Sequence, residues 1–138
     1  MLDYARNGII LMDKQDKPLF WIGSSLDDLR GFPEHVKRVM GFALRRAQDG
    51  GKHVNAKPLK GFGGAGVLEI VEDNDGDTYR GVYTVKFAGV VYVLHAFQKK
   101  SPGGAITPKR ETDLIKDRLN RAEEHYRGWC KEREHSHD

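Results

Sequence analysis

The spacing of apolar and polar residues changes several times along the chain, and each change marks an element. Pro18-Leu19-Phe20-Trp21-Ile22-Gly23 is a short apolar run closed by a glycine, which predicts a strand. Ser24 and Ser25 offer N-caps for a short helix through Leu29. Pro33 suits the first turn of a second helix over 34–48. Val36, Val39, Met40, Ala43 and Ala47 recur at helical spacing and form one apolar face. Lys37, Arg38, Arg45 and Arg46 occupy the remaining surface, and Asp49-Gly50-Gly51 ends the helix. Residues 50–66 have no period, are rich in glycine and read as an irregular loop carrying Lys52, Lys57 and Lys60.

Three strands follow. The first is Val67-Leu68-Glu69-Ile70-Val71, and an acidic turn over 72–77 leads out of it. From Tyr79 to Phe87 the residues alternate, with Tyr79, Gly81, Tyr83, Val85 and Phe87 on one face and Arg80, Val82, Thr84 and Lys86 on the other. Ala88-Gly89 turns the chain into a largely apolar strand, Val90 to Phe97. These connections are too short for crossovers, so the strands form an antiparallel meander. Thr107 is placed to cap a last helix with Pro108 at its first position. Ile115, Leu119, Ala122, Tyr126 and Trp129 share one face of that helix. The expected architecture is α+β: a small antiparallel sheet, two N-terminal helices and a C-terminal helix. A single domain spans 18–130, between an N-terminal arm (1–17) and a polar tail (131–138) expected to fray.

Composition narrows the class. The chain's 138 residues suit one domain with a core of its own. Cys130 is the single cysteine, so neither an internal disulfide nor a Cys-x-x-Cys metal pair is available. The first ten residues lack a basic segment followed by an apolar one, and no apolar run approaches membrane-spanning length, so a reducing, cytoplasmic setting is expected. The six histidines lack metal-site spacing, and neither a metal nor a cofactor is expected. Gly61-Phe62-Gly63-Gly64-Ala65-Gly66 matches the spacing of a dinucleotide loop, but it follows a loop and opens a strand, the reverse of what that site needs. Asp73, Asp75 and Asp77 alternate as in a calcium loop, yet Thr78 and Thr84 stand where its glycine and glutamate belong.

The net charge of +3 is modest, and its distribution says more. Between Lys52 and Lys100 lie seven cations (Lys52, Lys57, Lys60, Arg80, Lys86, Lys99, Lys100) and five anions (Glu69, Glu72, Asp73, Asp75, Asp77). Four of the anions crowd into one hairpin turn. In a meander, the start of one strand and the end of another share an edge, so these cations can converge on a polyanion such as RNA. Scattered lysines on a solvated face are the simpler alternative. His95, beside Phe97 on the last strand, serves either as a hydrogen-bonded structural group or in acid–base chemistry.

Several segments together resemble a known family. They are Tyr79-Arg80-Gly81-Val82-Tyr83, Val91-Tyr92-Val93-Leu94-His95-Ala96-Phe97-Gln98-Lys99-Lys100-Ser101, and Thr107-Pro108 before a helix, joined by Lys57-Pro58-Leu59-Lys60-Gly61 and Leu68-Glu69-Ile70. The pattern resembles RelE/ParE-type toxins of bacterial toxin–antitoxin systems, in the phage-derived Gp49-like (HigB-type) branch, over roughly residues 18–127. The resemblance implies a RelE/ParE-like fold and a cytoplasmic toxin, neutralised in a hetero-oligomer by a small helix-turn-helix antitoxin. It implies cleavage of mRNA, commonly on the ribosome, by attack of the ribose 2′-hydroxyl on the adjacent phosphorus without a metal. Carried over position by position, Lys60, Arg80, Lys99, Lys100 and His95 become catalytic candidates, and Lys57, Lys86 and Lys52 become RNA-binding ones. Val71 stands where relatives often carry an arginine, and no tyrosine follows the Lys-Lys segment before the last helix. Two alternatives therefore stay open: a non-nucleolytic, ParE-like inhibitor of DNA gyrase, and a non-catalytic interaction domain.

Overall fold

The computed structural model describes residues 16–64, 66–99 and 107–136. Its elements are β1 (Leu19–Trp21), α1 (Ser25–Arg30), α2 (Glu34–Gln48), β2 (Ala56–Pro58), β3 (Val67–Asn74), β4 (Asp77–Thr84), β5 (Val91–Lys99) and α3 (Lys109–Ser136). One five-stranded sheet has the order β1-β5-β4-β3-β2. The expected meander is its centre, β3-β4-β5, with both neighbouring pairs antiparallel. The sheet is mixed, however. β1 lies parallel to β5, with Leu19 opposite Val91, because the chain from one to the other passes through two helices and three strands and returns in the same direction. The segment read as an irregular loop supplies a fifth strand, with Lys57 opposite Glu69. That strand is only three residues long, below what periodicity can register.

Two other boundaries differ from expectation. β3 continues through Glu72 and Asp73 to Asn74, so the acidic turn contracts to Asp75-Gly76. Both turn residues have positive φ (52° and 83°), which suits an Asp-Gly hairpin. Helix α3 runs to Ser136, through most of the tail expected to fray. At its start the carbonyl of Pro108 accepts the Thr112 N–H at 3.0 Å, so Pro108 precedes the helix and Thr107 is released for another task.

Both faces of the sheet are covered. Helices α1 and α2 bury Leu29, Val36, Met40 and Ala43 against Ile70, Tyr83, Val91 and Val93. On the other face, α3 buries Ile115 and Ala122 against Val82, Tyr92 and Leu94. A covered sheet explains why β5 is apolar on both sides: every residue from Val91 to Phe97 is buried. It also overturns the expected polar face of β4, since Arg80, Val82 and Thr84 all lie beneath the α3 layer or its margin.

A bulge in β5 decides what α3 meets. Val82 pairs with His95 and Tyr83 with Val93, which leaves Leu94 as an extra residue. Before the bulge, Val91 and Val93 face α2. Without it His95 would follow them. The extra residue reverses the alternation, so Ala96 faces α2 while His95 and Phe97 join Leu94 on the α3 side.

The α2 side is tightly packed at Gly81 and Tyr83. A Cβ on Gly81 would sit 2.9 Å from Met40 Sδ, and Met40 is fully buried. Gly81→Ala should therefore lower stability by about 1–3 kcal/mol in urea unfolding; an unchanged midpoint would contradict this packing. The Tyr83 hydroxyl is buried without a hydrogen-bond partner among the described residues, and burial pushes its pKa up to about 12. Tyr83→Phe removes that unsatisfied group and should leave the unfolding midpoint unchanged or raised. A marked loss of stability would reveal a partner for the hydroxyl.

A candidate anion-binding cleft beside helix α3

Glu69 is the centre of the charged cluster. It lies mid-strand among apolar neighbours and faces the α3 side, with its side chain 7% exposed. A buried carboxylate needs cationic partners. Arg80, one strand over, donates from Nη1 to Glu69 Oε2 at 3.0 Å. The same nitrogen donates to Thr107 Oγ1 at 3.3 Å, which is the task that takes Thr107 away from capping α3. Lys57, directly opposite Glu69 on β2, brings Nζ to 3.9 Å from Oε1 but stays 64% exposed.

A cleft of about 240 Å³ opens beside this pair. Lys57, Pro58, Leu59 and Lys60 form one wall and Thr107 and Thr112 the other, with Glu69 also lining it. The sheet positions the first wall through the β2–β3 pairing, continued by the Leu59 N–H to Val67 carbonyl bond at 3.0 Å. Lys60 is exposed and follows at once.

The predicted cations separate into three groups. Lys57 and Lys60 line the cleft. Arg80 and Lys99 are buried behind its lining, on the same side of the sheet. Desolvation holds the Lys99 ammonium below the usual lysine range, and repulsion from Arg80 adds to this while Glu69 opposes it. Lys52 and Lys86 are elsewhere. Lys52 is exposed in the loop after α2, and Lys86 lies beyond the other end of β4 with Nζ 5.7 Å from the centre of the Phe87 ring. Lys100 lies outside the described residues. Val71 pairs with Arg80 across the β3–β4 ladder and contributes an apolar side chain there.

His95 is held in a second polar cluster. Its Nε2 is 2.9 Å from Glu111 Oε1, and Arg118 Nη1 is 3.3 Å from its Nδ1. A guanidinium can only donate, so Nδ1 accepts and the hydrogen sits on Nε2, facing the carboxylate. Phe97 stacks on the ring at 4.8 Å. Arg118 also donates to the Leu94 carbonyl at 3.0 Å and to Ser24 Oγ at 3.0 Å. Gly23 leaves room for it, since a Cβ there would lie 2.8 Å from Arg118 Nε. His95 does not line the cleft. With both ring nitrogens engaged, it fastens α3 to β5.

Sequence reasoning missed Glu69, Glu111, Thr112 and Arg118 as members of this region. Glu69 carried a usable signal, because a carboxylate in the middle of an apolar strand implies a cation across the ladder. Arg118 carried none, since its environment is made by the bulge and by Gly23. Among the described residues no group of His, Cys, Asp and Glu side chains is arranged to hold a metal, and no helix is long and apolar enough to cross a membrane.

A family model described as phage derived protein Gp49-like matches residues 27–120. No curated protein matches the chain. Among solved structures, a chain of the toxin–antitoxin complex RelBE2 from Mycobacterium tuberculosis aligns with a TM-score of 0.37 and 19% identity, covering 63% of this chain and 95% of that one.

Two outcomes test the cluster. Arg80→Met takes from Glu69 its hydrogen-bonded buried cation and should cost about 3–5 kcal/mol in urea unfolding, and the double variant Glu69→Leu/Arg80→Met should recover much of that loss. Additive losses would show that the pair is not coupled. Lys99 gives a pH signature. Its folded pKa lies below its unfolded value, so between the two the unfolded chain binds the extra proton, and stability rises with pH across that window. The Lys99→Met variant should lose this alkaline rise relative to the native chain; parallel pH curves would show that Lys99 is not desolvated.

Proposed function

The chain belongs to the phage-derived Gp49-like family, and from that premise we propose that it is the toxin of a toxin–antitoxin pair and inhibits translation by cutting mRNA in the cleft beside α3. The carrying observation is the gathering of Lys57 and Lys60 with Glu69 on an open cleft, backed by buried Arg80 and Lys99. This combination suits a phosphodiester, which needs positive charge around phosphorus and a proton acceptor beside the ribose. Motifs that resemble RelE/ParE-type toxins, together with this cation set, support RNA over other polyanions.

In the proposed reaction the 2′-oxygen attacks the adjacent phosphorus while Glu69 accepts its proton. The bond from phosphorus to the 5′-oxygen then breaks, leaving a 2′,3′-cyclic phosphate. A proton delivered to the leaving 5′-oxygen completes the balance, and Lys60 is the donor at the cleft rim. Lys57 holds a non-bridging oxygen as a point charge. Arg80 and Lys99 are positioning residues here: they fix Glu69 and hold positive potential behind the phosphate without touching it. A cytoplasmic partner protein that neutralises the toxin, and action on ribosome-bound mRNA, belong to this reading.

Induced expression should arrest growth, and primer extension should show new 5′ ends in mRNA. Lys60→Ala should reduce cleavage on the order of 10²-fold and relieve the arrest while its circular dichroism stays native, and Glu69→Gln should also lose cleavage but with a lowered unfolding midpoint, because it leaves Arg80 buried without its counter-charge. Uncut transcripts in arrested cells would overturn the reading. Val71, which lies opposite Arg80 where similar toxins often carry an arginine, makes DNA gyrase the next target to assay by supercoiling in that event.

A further inference from the structure

Thr112 lines the cleft and has no part in the proposed reaction. It stands half-buried in the first turn of α3, on the wall that faces Lys57 and Lys60. Its Oγ1 lies 3.3 Å from the carbonyl oxygen of Pro108, four residues back. A carbonyl can only accept, so the hydroxyl hydrogen points at Pro108 and the lone pairs of Oγ1 are what remains for a ligand. The bond is a weak one, because the N–H groups of Glu111 and Thr112 already reach the same carbonyl at 3.0 Å. Thr112 therefore offers an acceptor, and it becomes a donor only by giving up Pro108. The other polar groups of the cleft differ. Lys57 and Lys60 have only hydrogens to offer. The Thr107 oxygen takes a hydrogen from Arg80. Glu69 is an acceptor too, but Arg80 and Lys57 hold it. Oxygens of a ligand are thus drawn to the lysine wall, and Thr112 is left to receive an N–H.

We propose that Thr112 Oγ1 accepts a hydrogen bond from the exocyclic amino group of the nucleobase beside the scissile phosphate, so that the cleft disfavours uracil. The inference rests on the cleft being an RNA site. With the phosphate on Lys57 and Lys60 and the 2′-hydroxyl on Glu69, the base is the hydrogen-bonding part of the nucleotide still to be placed. Adenine, cytosine and guanine each carry an amino group that projects beyond the ring. Uracil carries none. Its N3–H is recessed between two carbonyl oxygens, and their lone pairs would come up against those of Oγ1. Uracil can still enter if the hydroxyl turns to donate to a carbonyl oxygen, which costs the bond to Pro108. The discrimination is therefore on the scale of one weak hydrogen bond and is not a steric block.

The test uses the full chain and fluorescein-labelled 12-mers of 2′-fluorocytidine and of 2′-fluorouridine, read by fluorescence anisotropy. The two differ in the group at ring position 4 and in the proton on N3. The fluorine replaces the nucleophile, so binding is read independently of cleavage. The native chain should bind the cytidine 12-mer about fivefold more tightly. Thr112→Val keeps the side-chain shape without the acceptor and should bring the two affinities together, while Thr112→Ser should keep them apart. A difference that survives in Thr112→Val, or is lost in Thr112→Ser as well, would overturn the proposal, as would tighter binding of the uridine 12-mer or no binding of either. Mapping of 5′ ends on ordinary RNA separates this inference from the proposed reaction. Cut sites as rich in uracil as the uncut sequence would overturn the inference and leave the reaction standing. Uncut RNA together with a Thr112-dependent preference between the 12-mers would support the base contact and overturn the reaction.

Discussion

The ion pair between Glu69 and Arg80 is the interaction on which the α3 side of this molecule depends. A five-stranded sheet covered on both faces has no solvated side on which to place charge, yet β3 and β4 each bring an ionised group under α3. Either group alone would be a buried, uncompensated charge, the costliest single defect a small domain can carry. Together, 3.0 Å apart, they are tolerated, and they recruit a third member. Thr107 accepts from the same guanidinium nitrogen, which pins the approach to α3 over the pair and leaves Pro108 to begin the helix. The cleft exists because this pinned segment forms its second wall. Charge compensation in the sheet therefore sets both where α3 starts and where the open space lies.

A second polar cluster fixes the middle of α3 by a different device. The extra residue at Leu94 turns His95 toward the helix, where Glu111 and Arg118 take its two nitrogens. Arg118 then reaches past β5 to Ser24 at the start of α1, through space that only a glycine at position 23 leaves open. One helix is thus tied to the sheet at three levels: Thr107 at its entry, Glu111 and Arg118 in its middle, and the aromatic contacts of His125 and Tyr126 with Tyr92 and Phe87 toward its end. On β5 the partners of Glu111 and Arg118 (His95 and Leu94) and of His125 (Tyr92) follow in reverse chain order, so helix and strand run antiparallel.

How much of this was legible in the sequence follows from the range of each interaction. The helices at 25–30 and 34–48, the three meander strands and the α+β class rest on local periodicity, and periodicity is written in neighbouring residues. The parallel β1, the three-residue β2 and the covered far face of β4 rest on contacts between distant segments, and no local pattern encodes them. The bulge is the sharpest case. Alternation alone places His95 with Val91 and Val93, and one extra residue sends it to the other face. The cation set was legible as a list but not as a place: Lys57 and Lys60 meet at the cleft, Arg80 and Lys99 back it from within, and Lys86 is carried to the opposite end of β4. The carboxylate that organises them was visible as an odd residue in an apolar strand and entered as a negative charge and as part of the Leu68-Glu69-Ile70 segment, without a role in the site.

The same buried pair accounts for how the cations divide their labour. A cation can hold a ligand only if it can exchange water for that ligand, and one already saturated by a protein carboxylate cannot. Arg80 is buried and spends Nη1 on both Glu69 and Thr107, and Lys99 is desolvated beside it, so in the proposed reaction both act on the cleft through their fields. Lys57 touches the pair at only 3.9 Å and remains largely in water, and Lys60 is exposed at the rim. The arrangement places fixed charge in the interior, where low polarisability lengthens its reach, and mobile charge at the mouth, where a side chain can follow an incoming anion. A carboxylate that binds the inner cations and one of the outer ones keeps the two sets in register. Removing it would release Lys57 but unbalance Arg80, which is why one residue can matter to the fold and to the cleft at once.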